Sequence, residues 1–121
     1  MQEGVDTTMN DMDKIPETME AVEVRVAMMK QVGFPVEVDD VIKEAIKDGL
    51  QALLDEQMSG HYYTVHWDED FKNLEVIGFG DEHVGDIAPE AGQLAWIDQF
   101  KANTDMFWFN LDAAVTKLAG R

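Results

Sequence analysis

This 121-residue chain has no cysteine, a single serine and only three prolines. Without cysteine there are no disulfides, thiolate zinc sites or cysteine nucleophiles. The lone Ser59 lies in no nucleophile elbow, so serine hydrolysis has no foothold. Positive charge is scarce as well: nine Lys and Arg stand against 25 Asp and Glu, a formal charge of −16. That balance repels phosphate backbones and anionic membranes, which argues against specific nucleic-acid binding. No apolar run approaches the roughly 18 to 20 residues of a membrane span, and no membrane partner is expected. The start, MQEGVDTTMND, offers neither a basic n-region nor an apolar h-region, so the expected location is the cytoplasm in which the chain is made.

What is present is apolar residue in quantity. At 45% hydrophobic the chain is far too apolar for disorder, and its length suits one core. We divide it into an acidic arm over 1–15, flexible or ordered by a partner, and a single α+β domain over 16–121. Val5, Met9, Met12 and Ile15 recur in the arm at steps of three to four, a spacing that could order against a neighbour.

From Pro16 to Gly33 the sequence reads as a helix, with Pro16 in its first turn, Met19, Val22, Val26 and Met29 on one face and Gly33 as the stop. Val22, Val24 and Val26 also alternate with Glu23 and Arg25, the period of a strand, and both readings stand at this point. The clearest element runs from Asp40 to Met58. Val41, Ile42, Ala45, Ile46, Leu50, Leu53, Leu54 and Met58 form its apolar face, with Asp39 or Asp40 as cap and Ser59-Gly60 as its end. HYYTVHW and LEVIGF around DEDFKN predict a β-hairpin, with Tyr63, Val65 and Trp67 on one face. A hairpin alone is marginal in water, so it needs a helix or a further strand. Asp81 to Pro89 reads as a loop, followed by a short helix with Leu94, Ile97 and Phe100 inward. A last helix, capped by Asp105, carries the stripe Phe107, Leu111, Ala114, Val115 and Leu118 and closes at Gly120. The expected fold is α+β: a long amphipathic helix packed on a small antiparallel sheet, with a C-terminal helix.

No constellation marks an enzyme, and no catalytic, cofactor-binding or metal residue is assigned. His61 and His66, five apart, face opposite sides of a strand, so they do not converge on a metal with His83. Asp68-Glu69-Asp70 lacks the spacing and central glycine of a calcium loop and reads as a turn. Gly78 and Gly80 make a G-x-G without the third glycine, and Asp81-Glu82 beside them would repel a phosphate. The dense aromatic group Trp96, Phe100, Phe107, Trp108 and Phe109 serves as core or as interface. Phe107, Trp108 and Phe109 are consecutive and cannot all face one core, so at least one ring meets a neighbour. As partner-binding residues we assign Trp96, Phe100, Phe107, Trp108 and Phe109, together with Met9 and Met12 of the arm.

Val76, Gly78 and Phe79, then Ala95, Trp96, Ile97, Asp98, Gln99 and Phe100, then Met106, Phe107, Trp108 and Phe109 occur in a familiar order. They resemble the V-G-F, A-W-N-E-F-G-T and P-F-F-R-like motifs of the tail-completion or neck proteins of tailed phages, over roughly residues 38 to 120. Lys101-Ala102 stands in place of that family's Gly-Thr, and the proline and arginine of its last motif are absent. The resemblance implies a non-enzymatic structural subunit of the virion, assembled in the host cytoplasm. It would form a homo-oligomeric ring or contact other virion proteins at the junction of head and tail. The alternative, from charge, is an acidic DNA mimic that inhibits a nucleic-acid-binding protein, of the anti-restriction or anti-CRISPR type.

Overall fold

The computed structural model describes residues 15–58 and 63–120. Residues 1–14 of the arm, with Met9 and Met12, the Ser59-Gly60 helix end and His61 lie outside the described residues. Helix α1 (Met19–Gln31) settles the helix-or-strand question in favour of helix, because Met19, Val22 and Val26 turn together onto the core. Its cap is Thr18, whose hydroxyl accepts from the Ala21 amide at 3.1 Å. Pro16 lies buried before that cap and not in the first turn as expected, since threonine supplies the acceptor that proline lacks. At the far end Gly33 adopts φ +88°, and the Phe34 and Gly33 amides reach back to Met29 and Lys30 carbonyls at 2.8 and 3.1 Å. This left-handed reversal satisfies the last carbonyls, as a glycine stop should.

Helix α2 (Val38–Gln57) buries Val41, Ile42, Ala45, Ile46, Leu50 and Leu54 of the expected face and also Gly49, while Leu53 and Met58 are half-buried. It begins earlier than predicted, after Glu37. Asp40 still acts at this end: from the first turn its carboxylate accepts from the Glu37 amide at 3.3 Å. Asp39 instead pairs with Lys101 at 2.7 Å.

The hairpin forms from β1 (Thr64–Trp67) and β2 (Leu74–Ile77), with Val65 opposite Val76 and Trp67 opposite Leu74. Asp68 shapes its turn by accepting from the Lys72 and Asn73 amides at 2.9 and 3.3 Å. A third strand, β3 (His83–Ile87), occupies part of what sequence alone gave as a loop. Antiparallel pairing places Leu74 opposite Ile87 and Val76 opposite Gly85, with the register shifted after Val76. Glycine in the buried position removed the apolar side chain that would have shown alternation. The sheet order β1-β2-β3 supplies the further strand the hairpin needed.

Two helices finish the chain, α3 (Trp96–Ala102) and α4 (Thr104–Ala119). In α3 the buried residues are Trp96, Gln99 and Phe100, while Leu94 precedes the helix and is exposed and Ile97 is half-buried. The cap of α4 is Asn103 and not Asp105; its side-chain carbonyl accepts from the Met106 amide at 3.1 Å. The predicted stripe is present, with Phe107, Leu111, Val115 and Leu118 buried and Ala114 half-buried. Helix α2 is the centre: α1, α3, α4 and β1 all pack on it, and α4 also covers β3. The inner faces of Val65, Leu74, Val76 and Ile87 complete one core, while Thr64, His66 and Asp86 face outward. Among the described residues no helix is long and apolar enough to cross a membrane.

Candidate interaction surface

The aromatic group divides sharply by position. Trp96, Phe100 and Phe107 are fully enclosed, and with Trp108 they form a chain of edge-to-face rings at centroid distances of 5.8, 5.3 and 4.7 Å. Such pairs add roughly 0.5 to 1.5 kcal/mol each beyond burial. The partner-binding assignment of Trp96, Phe100 and Phe107 is therefore corrected: these rings are core, drawn inward where α3 and α4 meet. The Trp96 indole confirms the enclosure by donating to the Ile87 carbonyl at 3.2 Å.

Phe107, Trp108 and Phe109 take three different directions, because successive helical residues stand about 100° apart. Phe107 points in. Trp108 is half-buried and lies over Gly49 of α2, where any Cβ would overlap its ring. Its indole donates to the Glu17 carbonyl at 2.9 Å, tying α4 to the approach to α1. Trp108 is thus chiefly a packing residue, and Phe109, 68% exposed, is the ring of the trio that faces outward. Met106 shares this outer side, and Ala113 extends it at the same helical spacing.

A second apolar face lies on α1. Val24 is exposed on the side of α1 away from the buried Val22, and Val32 at its C-cap and Phe34 beyond the glycine stop are 65% and 63% exposed. Ile15, Pro16, Ala21, Val24 and Met28, with the charged Glu20 and Arg25, line a hollow of about 260 Å³ there. Phe79, placed on the turn between β2 and β3, is 87% exposed.

The remaining polar chemistry is structural in its contacts. Gln99 is the buried polar side chain among the described residues; it donates to the Leu94 carbonyl at 2.8 Å and accepts from Asn110 at 2.9 Å. Nothing in AWIDQF distinguished it from a solvated glutamine. Gln57 donates to Asp112 at 2.6 Å and accepts from Thr116 at 2.9 Å, clasping α2 to α4. Among the described residues no three His, Asp or Glu side chains gather as metal ligands, and His83 pairs with Glu75 at 2.8 Å on the outer sheet face. No protein-family model matches this chain, and no characterised protein or solved structure matches it.

Proposed function

We propose that this chain is a non-enzymatic assembly subunit, a neck or tail-completion protein that joins copies of itself into a ring within a phage particle. The observation that carries this reading is the outward stripe on α4, with Phe109 68% and Met106 53% exposed beside Ala113. On a chain of charge −16 such apolar surface gains stability only when a neighbour covers it. The likeness of Val76-Gly78-Phe79, the Ala95 to Phe100 segment and Met106 to Phe109 to phage neck motifs supports the particle class. Acidity suits a ring around DNA, since like charge lowers affinity for the backbone and lets it slide.

Light scattering of the purified chain tests this. A mass that is a multiple of 13.7 kDa is expected, growing with concentration and with salt as repulsion between acidic copies is screened. Phe109→Asp should return it to the monomer with an unchanged circular dichroism spectrum. A wild-type monomer at every concentration and salt, indistinguishable from the variant, would overturn the reading.

A further inference from the structure

The groove between α2 and α4 has a composition that selects its occupant. Ile15, with Ala52 and Leu53 of α2 and Trp108 of α4, gives it an apolar wall, and its volume is about 410 Å³. Glu17, Glu56, Asp105 and Asp112 also line it, and among the described residues no Lys, Arg or His lines it. These carboxylates come from three separate parts of the chain: the approach to α1, the end of α2, and α4. Asp112 accepts from Gln57, a neutral donor, so its charge is not cancelled. The four carboxylates give the apolar hollow a negative rim, to which a cation is complementary. The wall is rigid, since Trp108 is fixed by its bond to the Glu17 carbonyl and by its edge contacts with Phe100 and Phe107.

Charge decides among occupants. The segment that leads into Ile15 carries Glu3, Asp6, Asp11 and Asp13 against Lys14, and a second copy of the chain carries 25 acidic residues against nine Lys and Arg. Both are disfavoured in this acidic groove, as is any phosphate, and copies of the chain meet instead through the Phe109 stripe of α4. We propose that this groove docks a cationic, amphipathic segment of a partner protein. Its apolar side chains seat on Ala52, Leu53 and Trp108, and its Lys or Arg side chains reach Glu17, Glu56, Asp105 and Asp112. The wall recognises the apolar half and the rim the basic half, so neither alone suffices.

Fluorescence anisotropy with two labelled synthetic peptides of equal length and charge tests this, one of lysine and leucine at helical spacing, the other of lysine and glycine. The lysine–leucine peptide should bind the wild type, and Glu56→Gln with Asp105→Asn should weaken it roughly five- to tenfold. Asp70→Asn with Glu82→Gln removes the same net charge from the sheet turns and should change binding by less than about twofold. In the nuclear magnetic resonance spectrum of the wild type, the Trp108 indole proton should shift on titration, a reading independent of any variant. Absent binding of the lysine–leucine peptide, equal weakening by the two variant pairs, equal affinity for the lysine–glycine peptide, or an unmoved Trp108 signal would each overturn the proposal.

Discussion

Helices α1 and α2 lie side by side but are built on opposite plans. In α2, 20 residues place six buried side chains and Gly49 along one face and leave Glu44, Asp48 and Asp55 outside, so the helix spends its apolar residues within the chain. In α1, 13 residues bury only Val22, although Val24, Val26, Met28 and Met29 surround it on all sides. Charged residues interleave with the apolar ones in α1, so it has no single apolar face to bury, and it packs on the core through Met19, Val22 and Val26. The difference separates two tasks: α2 holds the monomer together, and the outer side of α1 holds apolar surface that the monomer does not use.

The sharpest way to break this comparison is to cut one side chain from each helix. Leu50→Ala removes a wholly buried side chain from the middle of α2 and should cost about 2 to 5 kcal/mol in urea unfolding. Val24→Ser, at a position 53% exposed on α1, should change stability by less than about 0.5 kcal/mol. Comparable losses would mean that the outer side of α1 is part of the core after all.

A smaller effect is expected at Gly49, within α2 itself. Alanine there would gain about 1 kcal/mol of helix propensity, but its methyl must displace the Trp108 ring, which is tied to Glu17. Overpacking of this kind costs about 1 to 3 kcal/mol, so Gly49→Ala should be net destabilising by about 1 kcal/mol. In a Trp108→Ala background the obstacle is gone and the same substitution should stabilise. A double-mutant cycle by chemical denaturation reads the sign change, and an unchanged cost in both backgrounds would mean that Trp108 is not the cause.

The legibility of the chain follows the same division. The face of α2, the hairpin with its Asp68 turn and the stripe of α4 could be read because each repeats at the period of its own element. Strand β3 could not, since Gly85 occupies the inward position where an apolar residue would have marked it. One cap was misplaced because neighbouring acids and amides can each accept, with Asn103 acting where Asp105 was expected, and α1 starts later than Pro16 suggested because Thr18 caps it. Within the aromatic group, consecutive placement showed that the rings must diverge. Which ring turns outward depends on the angle at which α4 meets α2, and Gly49 in an otherwise strong helical period was the one sign of where Trp108 would land.

The mildest test concerns the glycine that ends α1. Gly33 holds φ +88° with nothing within 4 Å of an added Cβ, so Gly33→Ala meets no steric obstacle and its cost is backbone strain alone, about 1 kcal/mol. Gly92 has φ +87° and equally open space, which makes Gly92→Ala a control of matching strain away from α1. If α1 rests on the core through Met19, Val22 and Val26 alone, the Gly33 variant should speed hydrogen exchange at the Val32 and Phe34 amides, whose bonds to Met28 and Met29 close the helix. Amides in the middle of α2 should keep their protection, apart from the same small global shift seen with Gly92→Ala. Equal loss of protection in α1 and α2 beyond that shift would make the two helices one cooperative unit, and the outer side of α1 would then be maintained by the monomer's own folding and not by a neighbour that covers it.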